Sequence, residues 1–227
     1  MSRAAEEQAG QRGGWGWLLL PVLLMFVGSN LVFGLFMLRL SNLAEAGAAT
    51  RAVGPVIWSV LQMVLLWIAV RRLRILRVSL GGLIGFERER LLRDLGVGVV
   101  IAGAGTAVVF LSLRAVEPIF GVGTVPFPTW GILWWTTIGA VTAGIGEETY
   151  FRGFLFERFG RLSAPALLVV TSLAFAVWHA SPVMLLHTFL GGILLGWVYL
   201  RTRRLFPVIV GHTFTNVVGG ITFLSAG

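Results

Sequence analysis

Two adjacent glutamates, Glu147 and Glu148, end an apolar run that extends from Trp130 to Ile145. A charged side chain in a bilayer costs at least ~3 kcal/mol on the gentlest scale, so each carboxylate needs a reason to be there. Helical spacing separates the pair. Glu148 lies four residues before Arg152, the order in which an acid and a base pair well along one helix face. Glu147 lies about 100° further round the helix. It shares a face with Gly144, Tyr150, Phe151 and Phe154 and has no local partner. An unpaired intramembrane carboxylate is by default a functional group awaiting partners from other helices.

Further polar islands interrupt the later apolar stretches. His179 ends the string FAVWHA, with Phe175 one turn before it. His212 and Asn216, in HTFTN, are four apart and therefore share a face. Glu147, His179, His212 and Asn216 could together supply a general base, a second proton handler or metal ligand, and a donor to an oxyanion. No Ser in these islands stands beside a base, and the chain has no Cys. Water is then the natural nucleophile, and the chemistry is hydrolysis, with a peptide bond in or beside the membrane as target. His187 fits no such pattern and is read as structural, and Phe175 as packing.

The elements that position these groups follow from composition. Of 227 residues 56% are hydrophobic and 12% charged, with mean hydropathy +0.87. A soluble domain carries about a quarter charged residues, so the chain reads as an all-α, polytopic transmembrane helical bundle. Seven spans are expected, at 15–40, 53–70, 96–113, 130–159, 164–180, 183–200 and 206–226. An eighth would arise if the basic stretch 71–94 held a short additional segment. That stretch, with seven Arg, reads as an interfacial amphipathic turn or helix. The Pro- and Gly-containing stretch 114–128 reads as a loop, and it and the basic stretch are the candidate gates for substrate entering from lipid. Residues 1–14 form a short cytoplasmic tail and 15–227 a single bundle with its catalytic core at about 130–220.

Net charge is +8, carried by 18 Arg and no Lys. The Arg residues cluster at the ends of apolar runs, where they set topology and meet anionic lipid; nucleic acid is not the expected partner. With seven spans, fifteen Arg fall on one side and three (Arg39, Arg51, Arg114) on the other. The positive-inside rule then puts the N-terminus inside, in a cell membrane that the all-Arg usage points to as bacterial.

EETYFR (Glu147, Glu148, Arg152), FAVWH (Phe175, His179) and HTFTN (His212, Asn216) resemble, in order and internal spacing, the three motifs of the CAAX protease and bacteriocin-processing family. This family of intramembrane endopeptidases includes the type II CAAX prenyl endopeptidases. The resemblance covers roughly 136–216. It implies that Glu147 and His179 activate water, that His212 and Asn216 stabilise the oxyanion, and that Glu148 and Arg152 hold the first motif in place. It implies a membrane-associated peptide or protein substrate, prenylated or otherwise lipidated in the CAAX-processing members. Both zinc-dependent and metal-free glutamate mechanisms have been described for the family. Glu147, His179 and His212 are the candidate Zn²⁺ ligands, although no HExxH-type pair is present. Two competing readings use the same bundle: a non-catalytic scaffold or bacteriocin-immunity protein, and a proton-coupled carrier. A carrier would be supported by inverted repeats, and none is evident.

Overall fold

The computed structural model describes residues 14–40, 42–120 and 128–225, and among them there are helices and no strands. Seven helical segments form the bundle: α1 (Gly16–Met37), α2 (Leu43–Ile75), α3 (Leu91–Phe120), α4 (129–158), α5 (Ala164–Trp178), α6 (Pro182–Thr202) and α7 (Leu205–Ser225). Between α2 and α3 lie a single turn, Leu80–Ile84, and a short 3₁₀ turn, Arg88–Arg90. Among the described residues four stretches are long and apolar enough to cross a membrane: α1, α2, Leu80–Phe120 and α6. The chain is an integral membrane protein. Its outward apolar side chains, such as Leu23, Phe26, Val27 and Leu31 along α1, form the surface that lipid covers.

Most span boundaries follow the hydropathy, with two departures. Helix α2 runs well beyond 53–70, because Asn42 caps it through Oδ1 accepting from the Glu45 amide at 2.7 Å and because Arg72 and Arg74 occupy its last turn. The expected loop at 114–128 is helical as far as Phe120. Pro118 lies in the last turn of α3, where little helix remains for a missing N–H to interrupt. The rest of that stretch, 121–127, lies outside the described residues, as do most of the expected tail 1–14 and the end of the seventh span at 226–227. Ser181-Pro182 does break the chain, with Pro182 starting α6 after Ala180 takes a positive φ of 49°.

Helix α4 is the axis of the molecule and is not uniformly α-helical. It contains π-helical stretches at Trp135–Gly139 and Thr149–Phe154, the second beginning immediately after Glu148. Each inserts an i→i+5 turn and shifts the face that follows, a feature common at functional sites. Helix α2 lies along one side of α4 with Pro55, Ser59, Gln62, Leu65, Ala69 and Leu73 buried at three- and four-residue spacing. Helix α7 lies along the other side and also packs on α3. Contact between α3 and α7 depends on small residues, since a Cβ on Gly98 would come within 2.5 Å of Val210 and one on Gly211 within 2.6 Å of Ile101. The N-terminal end of α1 is held by Trp17, whose carbonyl accepts from Tyr150 Oη at 2.6 Å and whose ring lies 4.2 Å under Arg72.

At the end of the bundle where α6 turns into α7, Arg204 ties the α2–α3 connection down. Its Nε donates to the Gly85 carbonyl at 2.7 Å, Nη2 donates to the same oxygen, and Nη1 and Nη2 meet both oxygens of the buried Asp94 at 2.8 and 2.7 Å. Gly85 has φ 62°, and a Cβ there would lie 2.8 Å from Arg204 Cγ, so this turn requires glycine twice over. Removing the guanidinium leaves Asp94 buried and unpaired. Arg204→Met is therefore expected to destabilise the protein by about 3–5 kcal/mol. Thermal unfolding in detergent checks this, and Asp94→Asn added to Arg204→Met is expected to recover part of the loss.

Candidate active site

Glycines on α4 bring two other helices to the two glutamates. A Cβ on Gly146 would lie 2.5 Å from the Gln62 backbone carbonyl of α2, and one on Gly144 would collide with Thr213 and the Ile209 carbonyl of α7. The string GIGEE thus clears a place for α2 on one side and α7 on the other, directly before the carboxylates. Both side chains are buried, Glu147 at 1% and Glu148 at 0% exposure. Neither can rely on water, so protein groups must satisfy them.

Glu148 is the structural member of the pair. Its Oε1 accepts from Arg152 Nη1 at 2.9 Å, the i,i+4 contact expected from the sequence, and from His212 Nδ1 at 2.6 Å. Arg152, 1% exposed, is itself fully engaged. Its Nη2 donates to the Gly192 carbonyl of α6 at 3.0 Å, and its guanidinium lies 4.6 Å from the centre of the Phe175 ring of α5. One ion pair therefore joins α4 to α5, α6 and α7.

Glu147 is held differently. Its Oε1 accepts from Gln62 Nε2 at 2.9 Å and from Trp178 Nε1 at 3.3 Å. Its Oε2 is buried without a hydrogen-bond partner, and His212 Nε2 stands 3.9 Å away. His212 is thus oriented at Nδ1 by Glu148 and presents Nε2 toward Glu147. His179, at the C-terminal end of α5, donates from Nδ1 to the Phe175 carbonyl at 2.8 Å. That bond leaves Nε2 as the acceptor of the neutral ring. The ring rests against Trp58 and Phe175, with centroids 5.5 and 5.0 Å away.

The structure brings Glu147, Glu148, Arg152 and His212 into one hydrogen-bonded or ion-paired cluster. No hydrogen bond or ion pair joins His179 to Glu147, and the neighbouring Trp178 makes that contact instead. Asn216 follows His212 by one turn on α7, half-buried, and its amide bonds no other described residue. His187 is half-buried on α6 with Nδ1 unpartnered. Phe175 packs against Phe151, Arg152, His179 and His212. Among the described residues no three His, Asp or Glu side chains are grouped as metal ligands. The candidate Zn²⁺ ligands Glu147, His179 and His212 are not among such groups, and the mechanism proposed for the site uses the chain's own residues.

Sequence reasoning missed Gln62, Thr142 and Trp178. A signal for the first was present. Outside the first eleven residues Gln62 is the chain's only Gln, and it sits in an apolar span, where a buried amide has the same cost problem as a buried carboxylate. Trp178 carried no such signal, since a Trp in an apolar helix is ordinary.

Residues 129–218 match the family described as type II CAAX prenyl endopeptidase Rce1-like. No curated protein and no solved structure matches the chain.

Because Gly146 sets the distance from α4 to α2, Gly146→Ala must push the two helices apart or distort one of them. Overpacking of this kind costs about 1–3 kcal/mol. Thermal unfolding is expected to show that loss, whereas Ala at Gly103, where an added Cβ meets nothing within 4 Å, is expected to leave stability unchanged.

Proposed function

We propose, from the match of residues 129–218 to the Rce1-like type II CAAX prenyl endopeptidase family, that this protein is an intramembrane endopeptidase with Glu147 as its general base. That match supports a CAAX-type protease that acts on a membrane-associated peptide or protein. The particular residues and the lipidated substrate are the proposal. One observation carries it: Glu147 is buried with only neutral donors on Oε1, and its unpartnered Oε2 faces His212 Nε2 at 3.9 Å, whereas Glu148, whose Oε2 is likewise unpartnered, is committed to Arg152 and His212.

Glu147 Oε2 accepts a proton from water as the water oxygen bonds to the scissile carbonyl carbon. His179, whose free Nε2 is an acceptor, assists that deprotonation or receives the proton afterwards. The carbonyl π pair moves onto oxygen, and His212 and Asn216 are the donors for the resulting oxyanion. The Asn216 amide carries two N–H donors. His212 Nδ1–H is spent on Glu148, so Nε2 can donate only when the ring is protonated. Collapse of the intermediate returns the electron pair, breaks the C–N bond and passes the proton to the leaving amine. The products are a carboxylate and an amine. Burial among apolar helices strengthens each of these electrostatic contacts relative to water.

The N-terminus-inside orientation and the bacterial cell membrane belong to the same reading and rest on the Arg distribution. The purified protein, incubated with plain, acylated and prenylated peptides, tests the whole. Wild type is expected to cleave at least one membrane-partitioning peptide, and Glu147→Gln to lower the rate by at least about a thousandfold. His212→Ala and Asn216→Ala are expected to lower kcat more than they raise KM, and a zinc chelator to leave the rate unchanged. Equal cleavage by wild type and Glu147→Gln overturns the mechanism, and loss of activity with chelator would return zinc to it.

A further inference from the structure

Glu147 Oε1 is already saturated, and by two groups of different character. Trp178 Nε1–H is a donor and nothing else. Gln62 presents an amide that could offer either its NH₂ or its oxygen; an ionised carboxylate can take only the NH₂, and a third residue holds the amide oxygen on the far side. Thr142, one turn and a fraction before Glu147 on α4, has its hydroxyl 2.7 Å from Gln62 Oε1. The Gly139 carbonyl, 3.1 Å from the same hydroxyl, is the more distant acceptor; with the Thr142 proton donated to Gln62 Oε1, the amide is held with its NH₂ toward Glu147, 2.9 Å away. The chain of bonds runs Thr142 to Gln62 to Glu147 and crosses from α4 to α2 and back. Gln62 is 0% exposed, and in this arrangement its amide is paired at both its oxygen and its NH₂.

Packing does not require an amide here. Contact between α2 and α4 is made by Gly146 against the Gln62 backbone, by Gly131 against Pro55 and by Trp134 Nε1 donating to Ser59 Oγ at 3.1 Å. An apolar residue at 62 would serve the same seam at a lower desolvation cost. What the amide adds is directional: a fixed donor at one oxygen of a carboxylate that would otherwise turn about its terminal torsion, which is broad and roughly two-fold.

We infer that Gln62, oriented by Thr142 and working with Trp178, is a positioning residue for Glu147, holding Oε1 as a permanent acceptor so that Oε2 is the atom that takes the proton from water. Gln62 and Thr142 touch no reacting atom and act through the carboxylate. Two oxygens that are chemically equivalent in a free carboxylate become inequivalent here. Helix α2, outside the residues that match the family, is thereby part of the catalytic apparatus. This inference rests on Glu147 being the base.

The test uses the full chain and the peptide that wild type cleaves. Gln62→Leu removes the donor while keeping similar bulk, and is expected to lower kcat about tenfold or more, with KM within about twofold of wild type. Thr142→Val removes the hydroxyl at constant shape and is expected to lower kcat in the same direction by a smaller factor, while Thr142→Ser restores what Val loses. The double variant Gln62→Leu/Thr142→Val is expected to be no slower than Gln62→Leu alone, because Thr142 acts only through Gln62. Wild-type kcat in Gln62→Leu, equal impairment in Thr142→Val and Thr142→Ser, or multiplying losses in the double variant would each overturn the inference in favour of simple packing. The Val and Ser pair decides the matter even if Gln62→Leu does not fold. Glu147→Gln in the same assay separates the two claims. Full activity there removes the base itself, whereas an inactive Glu147→Gln beside wild-type Gln62→Leu and Thr142→Val removes only the positioning role.

Discussion

Two ionisable carboxylates next to each other in sequence, both shut away from water, are the constraint to which the rest of this bundle answers. Each would cost several kcal/mol if left alone in a low-dielectric interior, and together they repel. The protein resolves this by dividing them. Glu148 receives two charge-assisted donors and becomes a structural anion. Glu147 receives two neutral donors on one oxygen and none on the other. Oε2 is unpartnered in both; the first is tied to a guanidinium and an imidazole, and the second has neutral donors and His212 Nε2 facing its Oε2 at 3.9 Å.

That division accounts for why so many helices converge on α4. Arg152 must be buried to reach Glu148, and once buried it needs the Gly192 carbonyl and the Phe175 face for its remaining surface. His212 must come from α7, Gln62 from α2 and Trp178 from α5. Close approach at the two sides of α4 is possible because positions 144 and 146 lack a Cβ. In a membrane protein the lipid supplies no hydrophobic preference for helix contact over lipid contact, so small residues and polar ties carry much of the specificity. Here the polar ties and the proposed chemistry draw on the same residues.

The π-helical stretch that begins right after Glu148 belongs to this account. It separates the register that places Glu147 and Glu148 from the register that packs Phe151, Phe154 and Leu155 into the core. Arg152 still reaches back to Glu148 across it, at 2.9 Å. A regular α-helix would have to reconcile the two faces at a single phase, and the wider turn relaxes that requirement.

Much of the chain was legible one residue at a time. Apolar runs of membrane length announced the helices, Ser181-Pro182 announced the break before α6, and the four-residue spacing from Glu148 to Arg152 announced their pair, because these are consequences of local composition and helical period. The helical extension to Phe120 was not legible, since Pro and Gly after Arg114 signal a loop and only the fold shows that Pro118 can be carried in a final turn. The reach of His212 to Glu148, the use of Trp178 rather than His179 beside Glu147, and the entry of Gln62 and Thr142 were decided by tertiary structure alone. Each depends on the distance and rotation between two helices, and those are set by where a Cβ is missing and where a buried polar group must find its partner. A sequence read along its length states which groups need partners. Only the packed bundle decides which partner each one receives.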